Sequence, residues 1–151
     1  NALGSTVLDQ AVELGRACID EKHRNSRVLF LLWRGLAAYM VASDKRYFFG
    51  CCSLTSTCGA DGHTLFAKLI EDGHISDRFK APVQSAYRCP RDGAADRTIE
   101  VPKRMQLYLS YGATIVSEPA MDREFKTIDY LALFDMNGLS DGQREVFLAQ
   151  R

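Results

Sequence analysis

Apolar residues recur at helical spacing after residue 25, and strand-like segments flank that region. Six apolar residues follow i, i+3, i+4 spacing: Leu29, Leu32, Trp33, Leu36, Tyr39 and Met40. This spacing predicts a helix over 26–43 with one core-facing stripe, which Asn25 or Ser26 can cap. Residues 7–19 alternate imperfectly and predict an extended strand, whereas 46–54 are aromatic and apolar enough to predict a buried one. A strand, a helix and a strand in this order predict two parallel strands joined by a right-handed crossover.

The rest of the chain predicts a mixed α/β fold in a single domain over 1–151. Residues 61–72 predict a second helix, capped at Asp61 and ended by Gly73. Residues 73–101 have no hydrophobic period and predict an irregular insertion. Four more elements follow: a helix from Pro102 to Tyr111, strands over 113–117 and 127–134, and a helix from Ser140 or Asp141 to 149.

Composition excludes several classes of function. Among 151 residues, 19 basic and 19 acidic side chains leave a formal net charge of zero, which argues against a nucleic-acid partner. No apolar run approaches the roughly 20 residues that a membrane span needs.

Five cysteines, an odd number that includes the adjacent pair Cys51 and Cys52, argue against a disulfide framework. We expect them to be small buried hydrophobes in a reducing compartment. The three histidines are scattered, so no metal site is predicted.

Glu13 and the turn that follows it carry the candidate chemistry. A carboxylate on a strand can act as a general base when it lies close to a bound amine. The turn and helix start at Arg24, Asn25, Ser26, Arg27 and Val28 combine unpaired backbone N–H groups with two guanidinium groups, which predicts an anion site for phosphate.

Arg16 is a second candidate on the same strand as Glu13. It lies three residues further on, so strict alternation places it on the opposite face unless a bulge at Gly15 brings both side chains to one side.

Several motifs in the same order as in a known family add to this interpretation. They are Glu13-Leu-Gly-Arg-Ala-Cys-Ile19, His23-Arg24, Leu31-Leu-Trp-Arg-Gly-Leu-Ala-Ala-Tyr39, Phe49-Gly-Cys-Cys-Ser53, Leu107-Tyr-Leu-Ser-Tyr-Gly-Ala113, Glu118-Pro-Ala120, Phe125 and Asp129-Tyr-Leu-Ala-Leu133. Together they resemble the ornithine-lipid N-acyltransferase and "hemolysin-like" branch of the GNAT superfamily, which includes enzymes similar to N-acyl amino acid synthases. The resemblance covers nearly the whole chain and is least clear over 55–101.

The resemblance implies a GNAT-like mixed sheet in which one strand splays from its parallel neighbour and the pantetheine arm of an acyl donor lies in the gap. It implies a long-chain acyl group transferred from an acyl-carrier-protein or CoA thioester to the amine of an amino acid, with no permanently bound cofactor. Glu13 and Arg16 are the implied catalytic pair, and residues 24–28 the implied donor site. Tyr108 or Tyr111 is a weaker candidate for the acid that protonates the leaving thiolate.

Two departures from the family pattern qualify these expectations. The turn over 24–29 lacks the glycines of typical GNAT proteins, which favours acyl carrier protein over CoA as the donor. The family's first strands and helices are not found before Asn1, so we expect the acceptor site to be incomplete in this chain. The expected setting is the bacterial cytoplasm, with peripheral membrane contact through the lipid product left open.

Two other functions remain open at this point. One is a signal synthase of the acyl-homoserine-lactone type, which shares the Glu-x-x-Arg pair. The other is a non-catalytic module that binds an acyl group or a carrier protein.

Overall fold

The structure is a computed structural model that describes residues 3–15, 18–91 and 99–148. Its helices are α1 (Ser5–Asp9), α2 (Ser26–Ala42), α3 (Gly59–Glu71), α4 (Lys103–Ser110) and α5 (Asp141–Leu148), and its strands are β1 (Ala11–Glu13), β2 (Tyr47–Leu54), β3 (Thr114–Ile115), β4 (Ala120–Asp122) and β5 (Thr127–Asp135). Short 3-10 turns lie at Glu21–His23, Ser85–Tyr87 and Met136–Gly138. None of the helices in the described ranges is long and apolar enough to cross a membrane.

The five strands form one mixed sheet. Its order is β1-β2-β5-β3, and β4 pairs with another part of β5. β1 and β2 are parallel, with Ala11 opposite Tyr47 and Glu13 opposite Phe49, which confirms the predicted strand–helix–strand unit. All other pairs are antiparallel. The predicted mixed α/β class, an open sheet flanked by helices, is therefore confirmed.

The two faces of the sheet have different covers. On one face, α2, α3 and α4 pack over alternate residues of β2 and β5, including Phe48, Tyr130 and Phe134. On the other face, a smaller cluster around Tyr47 is covered by residues of the amino-terminal segment and by Phe79. We call these the helical face and the open face.

The predicted strand over 7–19 is wrong in most of its length. Gly4 has a φ of 76°, a conformation that glycine adopts without strain, and α1 follows it directly. Of the residues in this range that the structure describes, which exclude 16 and 17, only Ala11–Glu13 pair with β2. Val7 packs in the open-face cluster from a helical turn, so tertiary contacts override the weak alternation of its neighbours.

Two further boundaries differ from the sequence prediction. Strand β4 was not predicted, because its three residues follow Pro119 and are too few to show a period. Asp61 does not cap α3, because that helix begins at Gly59, after Cys58. The Asp61 carboxylate is buried and accepts a hydrogen bond from the Ser56 hydroxyl at 2.6 Å.

The segment between α3 and the undescribed stretch 92–98 extends the sheet edge. Ile75 and Ala81 form isolated parallel bridges to Ile115 and Ser117, and Arg88 forms an antiparallel one to Ala120.

Candidate active site

The pairing of β1 with β2 stops at the predicted base. Glu13 lies opposite Phe49, and the backbone N–H of Leu14 donates to the Phe49 carbonyl at 2.7 Å. β2 continues to Leu54 along β5, but no described residue of β1 pairs with it after Phe49. Because backbone direction alternates along a strand, Cys51 and Ser53 also turn their N–H and C=O groups toward this edge. Among the described residues, the edge of β2 beyond Phe49 therefore has no strand partner and is open for pairing with an extended ligand.

A glycine marks the place where the two strands part. A Cβ built on Gly50 would lie 2.6 Å from the Leu14 carbonyl oxygen, closer than such atoms approach in proteins. The absence of a side chain at this position lets the end of β1 cross close to β2 before leaving it.

A cleft of about 540 Å³ adjoins the open edge. This volume lies within the range of roughly 300–1,000 Å³ that small-molecule sites occupy. Its wall on the helical face includes Trp33, Phe48 and Tyr108, and its lining also includes Cys51 and Ser53, which alternate to the open face. The cleft thus reaches from the helices to the β2 edge and suits an apolar chain that ends in a polar group.

Trp33 organises the aromatic wall of the cleft. Its ring lies 5.4 Å from the rings of Phe48 and Tyr108 and 5.5 Å from that of Tyr111. The contacts with both tyrosines are edge-to-face, the arrangement that aromatic quadrupoles favour. Burial and the nearby Cys52 thiol raise the pKa of the Tyr108 hydroxyl, against a lowering influence from Arg104. The Tyr108 hydroxyl therefore keeps its proton at neutral pH.

Two cations at the start of α4 border the cleft and were missed by the sequence analysis. Lys103 and Arg104 are exposed and line it beside Pro102. The sequence contained a signal for this feature, since a helix that begins with a proline and two basic residues favours binding of an anion at its amino terminus.

The predicted donor turn lies at the amino terminus of α2, as expected. Asn25 caps the helix through its Oδ1, which accepts from the Val28 N–H at 3.0 Å, so that N–H group is already used. Arg24 donates from Nε to the Ile19 carbonyl at 2.9 Å and therefore holds the turn. Arg27 is exposed and forms no ion pair with any described residue.

Residues 24–28 do not line the cleft. Ser26 precedes Trp33 by seven residues, which is roughly 10 Å along the helix.

Of the two predicted catalytic residues, the structure describes Glu13 but not Arg16. The Glu13 side chain is exposed at the end of β1, and alternation places it on the open face because Val12 and Leu14 pack on the helical face. Arg16 lies outside the described residues.

The expectation that the cysteines are buried is correct for only part of the set. Cys52 is buried on the helical face, and burial raises its pKa to about 12, with smaller contributions from Cys51 and Asp129. Cys18, Cys51 and Cys58 are exposed. Although the Cys51 side chain is exposed, partial desolvation of its thiol, followed by the negative charges of Asp129, Glu13 and Asp122, raises its pKa. Both strand thiols are therefore protonated at neutral pH and weak as nucleophiles.

Comparison with known proteins agrees with the resemblance seen in the motifs. Residues 2–34, which span β1, the turn and the start of α2, match the Acetyltransferase (GNAT) domain family. The chain is 28% identical over 141 residues to L-ornithine N(alpha)-acyltransferase of Rhodobacter capsulatus, covering 90% of this chain and 54% of that protein. It is 23% identical over 136 residues to the protein of that name from Rhizobium meliloti, covering 85% and 46%.

The chain thus spans about half the length of the curated relatives it matches. No solved structure matches it significantly. The family match and the similarity to proteins named L-ornithine N(alpha)-acyltransferase agree with the resemblance that the motifs indicated.

Proposed function

We propose that the protein is an N-acyltransferase that moves a long-chain acyl group from an acyl thioester to the amine of an amino acid. The observation that carries this proposal is the open edge of β2 beyond the Glu13–Phe49 pair, with an apolar cleft beside it. The similarity to proteins named L-ornithine N(alpha)-acyltransferase supports both the reaction and an α-amino acid as acceptor. We also propose that residues 1–151 form a single GNAT-like domain.

The donor occupies the cleft in this proposal. Its acyl chain packs against Trp33 and Phe48, and its extended pantetheine arm pairs with the free edge of β2. The Cys51 N–H faces that edge and can donate to the thioester oxygen as negative charge develops there. The donor phosphate lies at the amino terminus of α2, where Arg27 is free of described ion pairs.

Chemistry then requires one base and one acid. A neutral amine attacks the thioester carbonyl, the C–N bond forms and the C–S bond breaks, so that an amide and a thiol result. Glu13 accepts the proton that the attacking ammonium must lose. Tyr108 borders the cleft in its protonated form, gives its proton to the leaving thiolate and regains one from the nitrogen, which loses its second proton as the amide forms. Arg16 stays a proposed partner of Glu13.

The test is amide formation by the purified full-length protein with acyl carrier protein thioester and ornithine, followed by mass spectrometry. We expect Glu13→Gln to lower kcat by about 100-fold or more, since general-base catalysis contributes that much. Glu71→Gln, which removes an exposed carboxylate at the end of α3, is the matched control and should behave as wild type. No amide with any amino acid, or full activity of Glu13→Gln, would overturn the proposal.

The identity of the donor is a separate question for the same assay. Because the turn over 24–29 has no glycine, we propose acyl carrier protein rather than CoA. Arg27→Ala should raise KM for the donor and leave KM for the acceptor unchanged, as expected when one phosphate contact is lost. Consumption of S-adenosylmethionine would instead indicate a signal synthase of the acyl-homoserine-lactone type, and carrier binding without turnover a non-catalytic module.

A further inference from the structure

Beyond the apolar cluster on the open face, the side chains on that face of the sheet are polar. The covered part centres on Tyr47 and Leu133, near the start of β2. Further along the same face, Cys51 and Ser53 are exposed on β2. Glu13 on β1 and Asp129 on β5 stand on either side of them by strand register. Cys51 and Ser53 also line the cleft along the β2 edge, so a group bound on this part of the open face lies next to the proposed thioester site.

Among these polar residues, Asp129 has a buried carboxylate oxygen without a hydrogen-bond partner. Its Oδ1 is buried and accepts no hydrogen bond from any described residue. No described basic side chain lies within 4.0 Å of it either, and the ion pair on β5 is formed by Asp135 with Arg46. A buried acceptor left unpaired costs about 1–3 kcal/mol, and more when the group is charged. A carboxylate kept in this state at mid-strand is typical of a position that serves a ligand.

Sheet register gives the spacing of the two carboxylates. Asp129 lies opposite Ser53, and Glu13 lies opposite Phe49, four residues earlier on β2. Along the strands, the offset of four residues corresponds to about 3.3 Å per residue. Across the sheet, β1 and β5 are separated by two strand spacings of about 4.8 Å, so the two Cα atoms lie roughly 16 Å apart. Cys51 lies midway, and both carboxylates act on its thiol. An α,ω-diamine can bridge this span between two inward-leaning acidic side chains.

We propose that Asp129 determines acceptor specificity by binding the distal ammonium group of a diamino acid while the α-amine lies at Glu13. This inference rests on the proposed function and names the acceptor class. A single amine needs only Glu13, whereas a second cation on the same substrate has a matching carboxylate at Asp129. The Ser53 hydroxyl, in the closest type of cross-strand pair with Asp129, is an additional acceptor for that ammonium.

The experiment compares ornithine with norvaline, which has the same carbon chain without the distal amine. We expect Asp129→Asn to raise KM for ornithine by about 10-fold or more, the loss expected for a hydrogen bond to a charged group. KM for norvaline should stay unchanged, so the preference for ornithine disappears. Glu13→Gln should instead lower kcat for both amino acids, and Glu71→Gln should change neither.

A binding measurement separates failure of this inference from failure of the proposed function. Calorimetric titration of ornithine and norvaline into wild type and Asp129→Asn requires no turnover. The inference requires that wild type bind ornithine more tightly and that the variant lose the difference. It is wrong if Asp129→Asn impairs both amino acids equally or leaves the preference intact, even if amide synthesis itself is demonstrated.

Discussion

The carbonyl oxygen of Leu14 lies so close to Gly50 that a Cβ at position 50 would be 2.6 Å away. This contact occurs one residue after the last β1–β2 pair and directly before the open edge of β2. Strand separation in this protein therefore depends on one glycine in an otherwise aromatic and apolar strand.

Replacing that glycine should disturb both stability and the site. Gly50→Ala forces either Leu14 or β2 to move, and overpacking of this kind lowers the free energy of unfolding by about 1–3 kcal/mol. Because the shift falls at the mouth of the cleft, donor KM should rise as well. Gly35→Ala is the control, since its Cβ would meet nothing within 4 Å in the middle of α2. It should raise the free energy of unfolding by about 0.5–1 kcal/mol in urea denaturation.

Donor binding should be visible in the intrinsic fluorescence. Trp33 is the single tryptophan of the chain and lines the cleft. An acyl chain that displaces water from its ring should move the emission to shorter wavelength in a titration with acyl carrier protein thioester. The unacylated carrier protein is the control and should give a smaller shift. Binding detected by another method with no change in emission would place the acyl chain elsewhere.

Thiol labelling can verify the electrostatics of the open face. Asp129, Glu13 and Asp122 raise the pKa of Cys51 in addition to burial, so removal of one charge lowers that pKa. More Cys51 is then thiolate at pH 8, and Asp129→Asn should increase its labelling rate severalfold in site-resolved mass spectrometry. Cys58 is the internal control, because its rate should not change. An unaltered Cys51 rate would mean that the two side chains are further apart than the structure has them.

The ion pair at the start of β2 should give the protein a defined acid sensitivity. Arg46 donates from Nε and Nη2 to Asp135 at 2.8 and 2.7 Å. Burial alone would raise the pKa of Asp135, but hydrogen bonds from Arg46 and from the Asn137 N–H lower it below its usual range. The stabilisation is therefore present above about pH 4 and lost as pH falls through the lowered value.

Asp135→Asn tests this pair by urea denaturation as a function of pH. The variant should be less stable than wild type by about 1 kcal/mol at pH 7, a modest value because the pair is partly exposed. The difference should shrink below pH 4. A difference that persists unchanged at pH 2 would show that the aspartate contributes by packing rather than by charge.

Local pattern was sufficient for the elements with strong periodicity. The apolar stripe from Leu29 to Met40 predicted α2 to within a residue at its end, and the aromatic run predicted β2 equally well. The stripe was wrong at Leu32 and Tyr39, whose side chains are more than half exposed. Their parallel pairing followed from the order strand, helix, strand, because parallel neighbours need a crossover connection. Motif order also identified the superfamily branch with which the comparisons agree. In each case the prediction depends on residues that are close together in the sequence.

Tertiary structure decided where β1 ends, which residues form the cleft and what lies on the open face. The sequence alone extended β1 to residue 19, because alternation along one strand carries no information about the close approach of Leu14 to Gly50 on another strand. Lys103 and Arg104 are 70 or more residues from Trp33, and only packing of α4 on the sheet brings them to one cleft. Asp129 sits in an ordinary strand pattern, and its unpaired oxygen emerges only when its neighbours on β2 and β4 are in place. Elements follow from contacts local in sequence, whereas a site depends on contacts between distant segments.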